Sequence, residues 1–177
     1  MQIRPDGDHR RSHVTGAFMH DTVEGDAGLT EAQHQVAKGG IRKALGLEPG
    51  DLRLGLDVAR AQLQKGAARE AFRIYAALVV CDPSDPELQV GLANCALHVG
   101  ENNLALLAAS AIVVLLPSDP RGYFFSGRAC LALGHKAEAK EDLSEAMELA
   151  RRARNPLIFD EAGKLLKRLA ALAGEQR

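Results

Sequence analysis

Gly66, Gly100 and Gly134 stand 34 residues apart, and Ala71, Ala105 and Ala139 keep the same step. Pro83 and Pro117 repeat it, each opening the string Pro-Ser-Asp-Pro. A fixed period of this length means tandem copies of one small unit. A single unit cannot bury its own apolar face, so each copy must stack on its neighbours. Asp85–Pro86 and Asp119–Pro120 each place a capping carboxylate before a proline, the arrangement that opens a helix. The periodic glycine suits a left-handed turn between two helices. The expected fold is therefore all-α: three tandem helix pairs over 52–85, 86–119 and 120–153, forming an α-solenoid.

Glycine, then alanine five residues on, then proline, at this step, is the tetratricopeptide pattern. In the first repeat it predicts helix A over about 52–64, a turn at Gly66 and helix B over about 68–81. Small residues recur where the two helices must cross: Ala59, Ala93 and Gly127 at repeat position 8, and Ala71, Ala105 and Ala139 at position 20. At an interaxial distance of about 8–9 Å a leucine has no room there. Aromatics make up only 4% of the chain and Trp is missing, so the core must be built from Ala, Leu and Val.

The flanks read differently. Residues 1–28 are polar and aperiodic, and are expected to be a flexible N-terminal tail. Thr30 and Gln33 form a capping-box pattern that opens a helix reaching about Leu45, within a segment 29–47. Ala37, Ile41 and Leu45 give it an apolar stripe, flanked by Val36 and Ala44. Gly39 and Gly40 each weaken it by about 1 kcal/mol relative to Ala. Such a helix needs a partner surface, its own repeats or a second subunit. Val36, Ala37, Gly40, Ile41, Ala44 and Leu45 are the candidate dimerisation residues. Gly46 to Gly50 break the helix and Asp51 is placed to cap the next one. Pro156 opens a last helix, 156–174, with Leu157, Phe159, Leu165, Leu166, Leu169 and Leu172 as its apolar face. It is expected to cap the solenoid.

Several function classes are excluded. A formal net charge of −1 gives no reason to expect direct nucleic-acid binding. The apolar stretch 104–116 has 13 residues, fewer than the roughly 17–25 that span a bilayer, so no membrane insertion is expected. Neither an apolar leader nor a CxxC spacing occurs, and the three cysteines read as reduced thiols of a cytoplasmic protein. No phosphate-binding, nucleophile-elbow, zincin or dinucleotide motif is found. His9 and His13 lie in the tail without helix signals. The chain is not expected to be an enzyme or to carry a cofactor or metal.

What remains is a binding surface. In this repeat type positions 2, 5, 9 and 12 of each A helix share one side of the helix and line the concave face. Position 12 is Leu63, Leu97 and Leu131; position 5 is Leu56, Val90 and Phe124. Position 9 is Arg60, Asn94 and Arg128; position 2 is Arg53, Glu87 and Arg121, with His98 at the border. Two apolar rails beside polar rows suit an extended peptide, whose side chains enter pockets while polar groups take its backbone.

Two strings narrow the family. Gly91-Leu92-Ala93-Asn94-Cys95 resembles the GLGAC of the class II chaperones of bacterial type III secretion, the SycD/LcrH group. Pro120 to Leu131 resembles their PRxPFHAAECLL, with Phe125 in place of the His and Ser126 and Gly127 where two alanines are usual. Leu56, Gln62 and Leu63 stand where the family's groove is richer in Tyr and Phe. The resemblance covers 52–150. It implies a cytoplasmic chaperone that holds hydrophobic translocator proteins soluble, with an extended segment in the concave groove. It implies a homodimer through the N-terminal helix, and for some members a transcription activator as a further partner. The alternative is a general tetratricopeptide adaptor or a transcription co-regulator binding a different peptide. One adaptor class grips a terminal carboxylate with a Lys–Asn clamp near positions 5 and 9; Leu56 and Arg60 argue against that clamp here.

Overall fold

The computed structural model describes residues 40–174. Among them the chain forms eight helices: α1 (Gly40–Ala44), α2 (Pro49–Gln64), α3 (Ala68–Cys81), α4 (Pro86–Val99), α5 (Asn102–Leu115), α6 (Pro120–Leu133), α7 (Lys136–Arg152) and α8 (Pro156–Gly174). Each helix from α2 onward packs on the next in the chain, and α2, α4, α6 and α8 also touch in sequence along one side. This is a solenoid of helix pairs, with α2, α4 and α6 as the A helices. Thr30, Gln33, Val36, Ala37 and the tail 1–28 lie outside the described residues.

The helix starts follow from capping. Asp85 Oδ1 accepts the backbone N–H groups of Glu87 (2.8 Å) and Leu88 (3.3 Å), and Asp119 Oδ1 accepts that of Arg121 (2.9 Å). Each satisfies donors that a helix leaves unpaired at its first turn. Gly66, Gly100 and Gly134 have φ of 78°, 85° and 85°, the left-handed conformation that glycine adopts without steric cost.

The cap of α2 differs from the expectation. The helix begins at Pro49, Glu48 is the N-cap residue, and Asp51 lies inside the first turn. The Asp51 carboxylate reaches back to accept the Glu48 N–H at 2.9 Å. A proline at the first helical position needs no hydrogen bond there, so Pro49 starts the helix rather than breaking it.

The helix crossings are closed by small side chains. Ala59, Ala71, Ala93, Ala105 and Ala139 are all fully buried, as the repeated positions require. One continuous apolar core runs from Leu52 through Tyr75, Leu88 and Ile112 to Phe125. Its large members fill the layers between helices, while the alanines let the backbones approach. Between Glu101 and Asp119 no residue is ionisable, so α5 is apolar nearly all round. Leu107 and Val114 remain on its outer face.

The three cysteines are unpaired and buried. Burial pushes the Cys95 thiol up to about 11, which leaves it protonated and unreactive at neutral pH. No helix among the described residues is long and apolar enough to cross a membrane.

The apolar face expected for α8 is only partly turned inward. Ile158 and Ala162 are buried, in register at i and i+4 against α7, whereas Leu157 is 72% exposed and Leu172 50%. The reason is the junction before it. Arg154 takes a left-handed φ of 54°, and Asn155 caps the helix by accepting the Ile158 N–H at 3.2 Å. That cap fixes the rotation of α8 so that Ile158 rather than Leu157 faces α7.

A candidate peptide groove

Leu56, Leu63, Val90, Leu97 and Phe124 are half-buried and pack on the main core. Leu131 is half-buried as well. None of the six is sealed from solvent, so together they form an apolar floor that stays open on one side. The helical register explains this: positions 5 and 12 border the buried position 8 on the side that faces away from helix B.

The polar positions fall into three groups. Arg53 and His98 are exposed. Arg60, Glu87 and Arg121 join into a ladder across the A helices. Arg60 Nη2 lies 3.9 Å from Glu87 Oε2, and Arg121 Nη2 lies 2.8 Å from Glu87 Oε1. Arg121 also forks onto the capping Asp119, with Nη2 at 2.7 Å and Nε at 2.9 Å from Oδ2. The Asp119 hydrogen bonds drive the Arg121 pKa upward against the opposing cost of burial. Burial alone would raise the Asp119 carboxyl, but the side-chain and backbone hydrogen bonds from Arg121 outweigh it and hold the carboxyl below its ordinary value. Arg60 from position 9 and Glu87 and Arg121 from position 2 thus form a cross-linked charged edge.

Arg128 belongs to neither group. Its guanidinium sits 5.6 Å from the centre of the Phe124 ring, a cation–π geometry. Burial lowers its pKa, opposed by the field of Glu161. Asn94, Arg121, Phe124 and Arg128 line a cavity of about 530 Å³ whose far wall is α8, through Leu157 and Glu161. A neighbouring cavity of about 550 Å³ lies at the loop edge, between Leu116, Pro117 and Asn155.

The contribution of α8 to this face is the part that sequence reasoning missed. The signal was present. Carrying the 34-residue step one unit further from Arg121, Phe124 and Leu131 leads to Asn155, Ile158 and Leu165. All three line the cavity. Pro156 obscured the continuation, because it falls 36 residues after Pro120.

Of the candidate dimerisation residues, Val36 and Ala37 lie outside the described region, and Gly40, Ile41 and Ala44 belong to α1. Leu45 follows that helix and is 63% exposed, and α1 lies against α3. Among the described residues no group of three or more His, Cys, Asp or Glu is arranged to hold a metal ion.

No family model and no curated protein matches the chain. Solved structures do. PcrH of Pseudomonas aeruginosa, in complex with the chaperone-binding region of PopD, is 26% identical over 72% of this chain and 97% of that one, with a TM-score of 0.67. SycD of Yersinia enterocolitica, in complex with a peptide of the translocator YopD, is 26% identical over 71% of this chain and 97% of that one, with a TM-score of 0.64. The first tetratricopeptide domain of Spaghetti (RPAP3), bound to an HSP90 peptide, reaches 25% identity over 71% and 96%, with a TM-score of 0.61. The solved structures that this chain resembles in fold thus include translocator chaperones of type III secretion.

Proposed function

We propose that the protein is a cytoplasmic chaperone of a type III secretion system. It binds an extended segment of a hydrophobic translocator protein along the face formed by α2, α4, α6 and α8, and keeps that protein soluble for export. The observation that carries this reading is the pairing of the fold with its neighbours' ligands: PcrH and SycD are seen with PopD and YopD segments. The open apolar floor from Leu56 to Leu131 supports it, since pockets for alternate side chains are what an extended chain needs.

The test is co-expression with a secreted protein that carries one or two long apolar helices. That protein is expected to become soluble only beside this chain. Leu97→Asp combined with Phe124→Asp removes the effect, with circular dichroism confirming that the variant keeps its helices. Undiminished rescue by the folded variant places the binding surface elsewhere.

The Spaghetti likeness favours a second reading, an adaptor for an acidic peptide terminus. Leu56 opposes it, because a carboxylate clamp at that position needs a cation. For dimerisation, the exposed Leu45 supports a surface on the N-terminal segment, and an alternative dimer is described for SycD.

A further inference from the structure

We infer that the cavity between α6 and α8 is a specificity subsite for a carboxylate lying next to an apolar side chain, with Arg128 as the anion ligand. The inference rests on the groove being a peptide site, and it names the chemistry of what the groove prefers.

The argument begins with the charges of the concave face. Arg60 pairs with Asp57 and Glu87, and Arg121 with Glu87 and Asp119. Arg53 is exposed, so water serves its donors. Arg128 is partly buried, and no hydrogen bond or ion pair ties its guanidinium to another of the described residues. What it has is the Phe124 ring at 5.6 Å and the longer-range field of Glu161. Glu161 itself is held by Lys164, whose Nζ lies 2.7 Å from Oε1.

A guanidinium carries five N–H donors in one plane. The guanidinium carbon lies over the Phe124 ring at 5.6 Å, a contact that uses none of the N–H donors as a hydrogen bond would. None of these nitrogens is sealed from solvent, so an incoming anion of matching geometry can replace the water on them and gain a charge-assisted hydrogen bond in a half-buried setting. A carboxylate accepts two such N–H groups side by side. Phe124, Leu157, Ile158 and Leu165 give the cavity an apolar wall, and Asn94 and Asn155 add neutral polar groups beside it. At about 530 Å³ the space accepts an apolar side chain together with the adjoining carboxylate. The charges facing it are Arg121, Arg128 and Glu161. Arg121 and Glu161 have ion pairs within the fold, and Arg128 is the one of the three without an ion pair among the described residues.

The carboxylate has two sources, an Asp or Glu side chain or the end of a chain. The probe is a pool of short peptides with one fixed leucine and random flanks, passed over the immobilised full-length protein. One pool is amidated at its C-terminus and the other is free. Asp and Glu are expected to be enriched several-fold beside the leucine in the amidated pool if side chains supply the anion. Enrichment only in the free pool, with leucine at or next to the terminus, assigns the chain end. Either pattern supports the subsite when Arg128→Glu abolishes it and turns the preference toward Lys and Arg.

An acid preference that survives Arg128→Glu overturns the inference, as does wild-type binding with no preference. If Arg128→Glu does not fold, Leu157→Asp on the exposed wall serves instead, and it is expected to deplete acidic peptides from the bound pool; an unchanged bound pool overturns the inference. A separate arm with Leu97→Asp tests the groove itself. Binding unaffected by that change overturns the peptide-groove reading, whereas loss there with a preference indifferent to Arg128 overturns only the subsite.

Discussion

The ring of Tyr75, on α3, fills the space in which a side chain at Gly91, on α4, would begin. Tyr75 is 3% exposed and belongs to the same buried cluster as Leu78 and Leu88. The glycine that opens the first secretion-chaperone string is therefore explained by packing between helix pairs. Gly91→Ala is expected to lower stability by about 1–3 kcal/mol through overpacking. Urea denaturation measures the loss, and Tyr75→Leu in the same chain should recover part of it, since contacting residues are energetically coupled. Additive losses in the double variant contradict this explanation.

Ala105 is fully buried beside Ala96 and Ala129, where α4, α5 and α6 meet. Ala105→Leu is expected to cost about 1–3 kcal/mol for the same reason. A thermal melt identical to that of the unaltered chain removes Ala105 from the crossing.

Asp142 gives the fold a dependence on acidity. Burial pushes its carboxyl above the ordinary range; the hydrogen bond from Ser126 opposes this, and Glu141 and Glu138 add to it. The Ser126 hydroxyl donates to Oδ2 at 2.6 Å. The folded chain therefore holds this proton more tightly than the unfolded chain does. The stabilisation is fully present below the unfolded pKa and is lost as pH rises through the raised folded value. Asp142→Asn keeps an acceptor for Ser126 and removes the charge. It should remove the loss of stability just above the ordinary carboxylate range and leave the protein at least as stable at neutral pH. Urea midpoints followed across that range check it; an unchanged pH profile refutes it.

Leu45 offers a way to separate dimerisation from folding, because it is exposed and follows α1. If the N-terminal segment forms the subunit contact, Leu45→Glu should weaken the dimer at least tenfold, about 1.4 kcal/mol, with the melting of the monomer unchanged. Light scattering over a dilution series reads the outcome. A dimer of undiminished strength clears this surface of that role.

Much of the architecture was legible in the sequence because each repeat mark has one structural cause. Gly100 and Gly134 are readable as turns since only glycine takes their φ cheaply, and Asp85 and Asp119 since a carboxylate before proline has one obvious use. The half-buried row from Leu56 to Leu131 was readable from the 3.6-residue spacing once the repeat type was known. What was not legible depended on pairing across helices. Arg60 and Arg128 occupy the same repeat position, yet one faces Glu87 and the other lies over the Phe124 ring. The period says nothing of which acid stands opposite. The rotation of α8 was hidden for a similar reason: it is set by Arg154 and Asn155, whose conformation no apolar pattern records.

The uncharged run between Glu101 and Asp119 decides where the molecule is sensitive. In a stack where each unit holds only its neighbours, unravelling starts wherever the hold is weakest. Ionic strength and acid have nothing to act on along α5, while the Arg60–Glu87–Arg121 ladder ties α4 to the A helices on both sides and Asp142 lies on α7. Changes in solution conditions therefore act on the A-helix edge and on the last pair, and spare the B helix of the central one. A cargo lying along the A-helix face would be gripped on the side that salt reaches, while the helix behind it keeps the stack together.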